Sequence, residues 1–180
     1  LGLVISEHLV SMMDGTIAVD STPNVGSKFT FTARFGKSDQ PSKPAVQDDV
    51  SGVRILVVDD NESAREVFHS MLTSLKFEVA TASSGEECLQ KLTQAEAEGK
   101  PFQLVLMDWM MPGMDGVQTI KALRQMQGPS QSAPLVIMVT AYNRDDLMEQ
   151  LGAIAIEGVL VKPVAPGLLF DTLLQAFEHS

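Results

Sequence analysis

The sequence has little cysteine, few basic residues and no long apolar run. Its single cysteine, Cys88, cannot form an internal disulfide bond, which favours a cytoplasmic location. Only 13 Lys and Arg residues stand against 23 Asp and Glu residues, and the formal net charge of −10 argues against nucleic-acid binding, which depends on basic side chains that neutralise phosphates. No run approaches the roughly 18 apolar residues of a membrane span, and there is no signal peptide, so we expect no membrane contact.

What the sequence does contain is an alternation of short β-branched runs with helical patterns over residues 53–180. This alternation is typical of βα units on a parallel sheet, and it predicts a doubly wound α/β domain. We place strands near 54–58, 77–81, 103–107, 134–139 and 158–161. We place helices near 62–75, 84–98, 116–127, 144–153 and 166–178. Asn61 and Ser84 are the expected N-caps of the first two helices.

The first 52 residues have a different character. Residues 36–52 are rich in Ser, Pro, Gln, Asp and Gly, which predicts a flexible linker. Before it, residues 1–13 carry apolar side chains at helical spacing, and residues 17–35 alternate around a turn-forming stretch, which together predict a helix and a β-hairpin. A helix and one hairpin are too small to form a domain. Because the chain also begins at Leu1 rather than Met, we expect it to be part of a longer protein.

Polar side chains stand at the carboxyl ends of four predicted strands: Asp59 and Asp60, then Asp108, then Thr140, then Lys162. In a doubly wound sheet, ligands bind beyond the carboxyl ends of the strands. Each residue alone has a simpler reading, since an Asp pair often caps a helix and a lone Lys is often a solvated charge. All four positions at one edge of the sheet instead predict a divalent-metal and phosphoryl site.

The chemistry of this set assigns roles to its members. A carboxylate such as Asp108 can accept a phosphoryl group as an aspartyl phosphate. Asp59, Asp60 and Asp108 offer the oxygen ligands that suit Mg²⁺, which would remove the repulsion between an anionic nucleophile and an anionic donor. Lys162 would supply a positive charge for one phosphoryl oxygen, and Thr140 would donate a hydrogen bond to another. Such contacts suffice because phosphoryl transfer needs mainly positioning and electrostatic stabilisation.

Four segments carry a resemblance to a known family. They are Ile55-Leu56-Val57-Val58-Asp59-Asp60-Asn61, Leu106-Met107-Asp108-Trp109-Met110-Met111-Pro112-Gly113-Met114-Asp115-Gly116, Val139-Thr140-Ala141 and Val161-Lys162-Pro163. In order and spacing, residues 53–180 resemble a response-regulator receiver domain of two-component signalling.

That resemblance implies a flavodoxin-like (βα)5 fold with a central five-stranded parallel sheet and the site roles given above. It adds the main-chain carbonyl of Met110 as a metal ligand. A histidine kinase core or a histidine phosphotransfer domain would donate or receive the phosphoryl group. One position departs from the family: receivers often carry Tyr or Phe three residues before the lysine, as a switch coupled to the threonine, and here it is Val159.

Residues 1–35 resemble the C-terminal end of a histidine-kinase ATP-binding domain, through Leu1-Gly2-Leu3-Val4-Ile5-Ser6, Met13-Asp14-Gly15-Thr16-Ile17 and Gly26-Ser27-Lys28-Phe29-Thr30-Phe31. Together with the receiver, this piece implies a hybrid histidine kinase as the parent. The fragment itself would lack the ATP site, and none of His8, His69 and His179 has the sequence context of a phosphodonor histidine. We therefore expect it to catalyse only phosphorylation and dephosphorylation of its own aspartate, and we consider a homodimer through the apolar face of this piece.

Two other functions fit parts of the pattern. A phosphatase of the haloacid-dehalogenase type also uses a strand-end Asp, Mg²⁺ and Lys, but it needs a second Asp two residues after the nucleophile, and that position is Met110. A pseudo-receiver would act as an interaction module without phosphorylation. The intact set of Asp59, Asp60, Asp108 and Lys162 speaks against that alternative.

Overall fold

The computed structural model describes residues 2–36, 52–126 and 133–178. The chain divides into two compact units, one that holds the described residues 2–36 and one that holds the rest. The predicted linker, residues 36–52, lies outside the described residues except for its two end glycines. In the three described ranges, no helix is both long and apolar enough to cross a membrane.

The first unit is a helix followed by a hairpin, as the sequence predicts. Helix α1 spans Gly2–Met12, and strands β1 (Ile17–Thr22) and β2 (Gly26–Phe31) pair antiparallel. Val10 is the one buried residue among the described residues 2–36, and most of the other apolar side chains of this unit are exposed. The unit therefore has almost no hydrophobic core of its own.

The second unit is a five-stranded parallel sheet with helices on both faces. Its strands are β3 (Arg54–Val58), β4 (Glu78–Ala82), β5 (Leu104–Asp108), β6 (Leu135–Thr140) and β7 (Gly158–Val161). Its helices are α2 (Glu62–Ser74), α3 (Gly85–Ala97), α4 (Gly116–Met126), α5 (Arg144–Leu151) and α6 (Pro166–Glu178). The strand order is β4-β3-β5-β6-β7. This is the flavodoxin-like order, which confirms the predicted fold class.

Predicted and observed element ends agree within two residues. The largest difference is at α5, which ends at Leu151 because Gly152 follows it with φ 59° and its N–H closes the helix on the carbonyl of Met148. Asn61 and Ser84 cap α2 and α3 as predicted, since their side-chain oxygens accept hydrogen bonds from Ala64 N (3.0 Å) and Glu87 N (3.2 Å).

Alternate residues of each central strand pack into two separate hydrophobic cores, one on each face of the sheet. In β3, Ile55 and Val57 pack in the cluster that contains Phe68 and Leu72 of α2, while Leu56 and Val58 pack in the cluster on the other face. A sheet that is buried on both faces needs such continuous apolar runs. These two cores fix the strands in register, so that polar residues at their carboxyl ends meet at one edge.

The start of α3 carries an ion pair that predicts a pH effect on stability. The Glu87 carboxylate accepts hydrogen bonds from the Ser83 N–H and hydroxyl (both 2.7 Å) and lies 2.8 Å from Lys91 Nζ. These contacts, that of Lys91 first, lower the pKa of Glu87 to about 2. Because this pKa lies below the unfolded value of roughly 4.3, the stabilisation is present above that value and is lost as the pH falls towards 2.

We therefore expect Glu87→Gln to be less stable than the wild type at pH 6, with a difference that shrinks as the pH approaches 2. Urea unfolding at several pH values between 2 and 6 measures this difference. Glu86→Gln is the matched control, since Glu86 also lies in the first turn of α3 but makes none of these three contacts. A Glu87→Gln difference that stays constant over this range would contradict the prediction.

Candidate functional site

Three carboxylates meet at the carboxyl edge of the sheet. Asp59 and Asp60 follow β3, Asp108 is the last residue of β5, and these two strands are neighbours. One oxygen of each carboxylate lies within 4.8 Å of the others. Asp59 and Asp108 are 1% and 6% exposed, whereas Asp60 is exposed. Such a cluster offers only oxygen ligands, which suits a hard divalent cation such as Mg²⁺.

Lys162 connects two of these carboxylates. It follows β7, and its Nζ lies 2.7 Å from Asp59 Oδ2 and 2.6 Å from Asp108 Oδ1. Its backbone N–H also donates to the Thr140 carbonyl at 2.7 Å, which ties the end of β7 to the end of β6. One ammonium group is therefore shared by two buried carboxylates.

The cluster carries excess negative charge, because three carboxylates lie beside one lysine ammonium group. Burial raises the pKa of Asp108 above its usual range, even though the hydrogen bond and charge of Lys162 act in the opposite direction. For Lys162, burial alone would lower the pKa, but the hydrogen bonds to Asp108 and Asp59 outweigh it and raise the pKa above its usual value. A further positive charge at this edge would be favourable.

The other two predicted site residues lie at the same edge but make different contacts. Thr140 is buried at the end of β6, and its Oγ1 accepts a hydrogen bond from the Tyr142 N–H at 2.8 Å. Met110 lies in the loop after β5 with an exposed side chain. The structure thus brings Asp59, Asp60, Asp108 and Lys162 into direct proximity, and it holds the Thr140 hydroxyl on the turn after β6.

Arg65 is a residue of this region that the sequence analysis missed. It lies on α2, and its Nη1 donates to the main-chain carbonyl of Asp59 at 2.7 Å. The Asn61 N–H donates to Asp59 Oδ1 at 2.9 Å, which fixes the turn from the other side. The sequence analysis did not predict this contact, because a separation of six residues does not by itself indicate that two residues touch.

The loop after Asp108 is closed tightly onto the strand. Gly113 adopts φ 77°, which is a left-handed conformation that favours glycine. Asp115 and Gln118 form a capping box, in which each side chain accepts from the other residue's N–H, at 2.7 Å and 3.1 Å. The Gly116 N–H donates to the Trp109 carbonyl at 2.8 Å. These contacts fix the start of α4 directly beside the carbonyl of Asp108.

Comparisons with known proteins agree with this geometry. The model of the response regulator receiver domain matches residues 55–174. Ethylene receptor 2 of Oryza sativa subsp. japonica is 27% identical over 184 residues, which cover 97% of this chain and 24% of the receptor, so the chain spans about a quarter of that relative's length.

Solved structures show the same similarity. Chemotaxis protein CheY4 of Vibrio cholerae is 31% identical with a TM-score of 0.60, over 69% of this chain and 98% of that chain. A CheY-like response regulator receiver domain protein of Methanospirillum hungatei JF-1 is 26% identical with a TM-score of 0.59, over 71% of this chain and 94% of that chain. This chain therefore belongs to the response regulator receiver domain family and contains a receiver domain of a two-component system.

Proposed function

We propose that Asp108 is the phosphoacceptor of this receiver domain and takes its phosphoryl group from a phosphohistidine. The observation that carries the proposal is the environment of Asp108, a buried carboxylate that Lys162 holds by one oxygen at 2.6 Å beside two further carboxylates. Because Lys162 binds Oδ1, the second oxygen of Asp108 would be the one that attacks phosphorus. It forms a bond to phosphorus as the bond from phosphorus to the donor imidazole breaks.

The donor set fits Mg²⁺, which Asp59, Asp60, Asp108 and the main-chain carbonyl of Met110 would hold. When bound, the cation neutralises charge on the carboxylate and the phosphoryl oxygens. Lys162 already contacts Asp108, so its ammonium group is within reach of an oxygen on the new phosphoryl group. The Thr140 hydroxyl can donate a hydrogen bond to another oxygen once it turns from its present partner.

The added charge would shift the loops after β5 and β6 and change the surface formed by α5, β7 and α6. That surface carries exposed apolar side chains, among them Met148, Val161 and Leu168, which could contact a partner. We infer that the partners are a histidine kinase core and a histidine phosphotransfer domain, and that the domain acts in the cytoplasm.

We also infer that residues 1–35 end the ATP-binding domain of a hybrid histidine kinase, with residues 36–52 as the linker to the receiver at 53–180. The near absence of a core in the first unit supports this inference, because such a piece needs a larger domain to cover its apolar side chains. The alignment with Ethylene receptor 2 over 97% of this chain extends well into these residues.

Intact mass spectrometry tests the phosphoacceptor. After incubation with Mg²⁺ and a small acyl phosphate, we expect one phosphoryl group on the wild type and none on Asp108→Asn. Chelation of Mg²⁺ with EDTA should also prevent the adduct. Asp145→Asn is the matched control, since Asp145 is an exposed aspartate on α5, and it should be phosphorylated like the wild type.

An unmodified wild type, with Mg²⁺ binding confirmed by calorimetry, would contradict the proposal. It would favour the pseudo-receiver, in which the same surface acts without phosphorylation.

A further inference from the structure

The hydroxyl of Thr140 is held by a single neighbouring residue. Thr140 Oγ1 accepts the Tyr142 N–H at 2.8 Å and lies 3.4 Å from the Tyr142 carbonyl oxygen. This local turn fixes the hydroxyl at the start of the segment that leads into α5. The same hydroxyl is the one that would donate to a phosphoryl oxygen on Asp108.

The side chain of Tyr142 fixes the turn at a second point. Its ring lies edge to face with the ring of Trp109, with 6.0 Å between the centroids and an interplanar angle of 80°. Trp109 follows Asp108 directly, is 4% exposed, and donates its backbone N–H to the Val139 carbonyl at 2.9 Å. Tyr142 therefore links the turn after β6 to the residue next to the phosphoacceptor.

The indole of Trp109 has an unusual feature in this arrangement. Its Nε1 is buried, and no atom of the described residues accepts a hydrogen bond from it. A buried unpaired donor is unfavourable. Among the described residues, the Trp109 side chain therefore has no polar contact beside its packing against the Tyr142 ring.

We propose that Tyr142 is a positioning residue that holds the Thr140 hydroxyl away from Asp108 until the phosphoryl group arrives. The proposal rests on the phosphoacceptor role of Asp108 and names the control of that same site. A phosphoryl oxygen is charged, so it accepts a stronger hydrogen bond from the Thr140 hydroxyl than a neutral acceptor does. The Thr140 side chain therefore turns towards the phosphoryl group. The Tyr142 N–H then loses its acceptor, and the turn and the ring of Tyr142 move.

The position of Tyr142 explains how this movement reaches a surface. Asn143 follows it and caps α5 by accepting the Asp145 N–H at 3.1 Å. A change at Tyr142 is therefore passed directly to the first turn of α5.

The composition of the chain offers a direct test, because Tyr142 is its only tyrosine and Trp109 its only tryptophan. Protein labelled with 3-fluorotyrosine gives one ¹⁹F resonance, which reports Tyr142 alone. We expect this resonance to shift when Mg²⁺ and beryllium fluoride, a phosphoryl mimic that is not hydrolysed, are added together. An unmoved resonance at saturation would overturn the proposal.

A second measurement separates positioning from a merely structural role. Tyr142→Ala removes the ring but keeps the N–H, so the turn is held more weakly, and calorimetry should show roughly two- to tenfold tighter binding of beryllium fluoride, the range that an aromatic pair supplies. Tyr142→Phe keeps the ring and should bind like the wild type. Val67→Ala, which removes an exposed apolar side chain from α2, is the matched control and should bind like the wild type.

The outcomes distinguish this inference from the proposed function. If the wild type takes no phosphoryl group by intact mass, the phosphoacceptor role fails and the positioning role falls with it. If the wild type is phosphorylated and Tyr142→Ala binds beryllium fluoride with unchanged affinity, the phosphoacceptor role stands and the positioning role is overturned.

Discussion

Replacing Lys162 with methionine is expected to destabilise the receiver domain by about 3 kcal/mol at neutral pH without divalent cations, the lower end of the range for breaking a buried ion pair. Asp59 and Asp108 are both buried, and Lys162 Nζ lies within 2.7 Å of an oxygen of each. We use the lower end because the lysine side chain is 28% exposed, so water screens part of the interaction.

The loss should be limited by proton uptake. Burial already raises the pKa of Asp108, and removal of Lys162 takes away the group that opposes this shift. Part of the Asp108 population would then bind a proton and avoid an uncompensated buried charge. The remaining cost comes from the carboxylates that stay ionised.

Urea unfolding of the wild type and Lys162→Met at pH 7, first with EDTA and then with Mg²⁺, measures the effect. Mg²⁺ should stabilise the variant more than the wild type. In the wild type, the ammonium group of Lys162 already supplies part of the positive charge that the cation would add. Lys121→Met is the matched control, since Lys121 is an exposed lysine on α4. A Lys162→Met protein as stable as the wild type in EDTA would contradict this account of the site.

The second large effect is expected at Gly116, where an added methyl group has no space. A Cβ at this position would lie 2.3 Å from the main-chain oxygen of Asp108. The backbone cannot withdraw easily, because the Gly116 N–H is bound to the Trp109 carbonyl and Asp115 caps α4 immediately before it. Gly116→Ala should therefore destabilise the domain by about 1–3 kcal/mol.

The same displacement should also weaken binding of Mg²⁺, since Asp108 would move with its carbonyl. Calorimetry with Mg²⁺ and urea unfolding measure the two effects on one sample. Gly167→Ala is the matched control: it lies in the first turn of α6 with nothing within 4 Å of its added Cβ, so it should be neutral or slightly stabilising. Equal behaviour of the two variants would show that the loop after β5 yields at little cost.

The sequence could predict the fold and the gathering of the site because both follow from strand pattern. Apolar runs that end in Asp59, Asp108, Thr140 and Lys162 must place those residues at one edge if the strands are parallel. Helix caps such as Asn61 and Ser84 are equally local, since the capping residue lies within three residues of the N–H that it binds.

What the sequence could not predict depends on side-chain direction and on packing between elements. The contact of Arg65 with the Asp59 carbonyl requires the orientation of α2 on the sheet, and the tight fit at Gly116 requires the path of the loop. The hydrogen bond from the Tyr142 N–H to the Thr140 hydroxyl requires the conformation of the turn after β6, which the strand pattern does not specify.

The double contact of Lys162 has a consequence for how the protein is made. Its partners lie 103 and 54 residues earlier in the chain, so the ammonium group reaches them only after the last strand of the sheet has been synthesised and has docked. A nascent chain that ends before β7 can form its first strands and bring Asp59 near Asp108, but it lacks the charge that connects them. Contacts this far apart in sequence also require closure of the intervening chain, which carries an entropic cost. The cluster of charges at the carboxyl edge is thus completed by the last strand of the sheet, and a chain cut before β7 would hold Asp59 and Asp108 without the ammonium group that connects them.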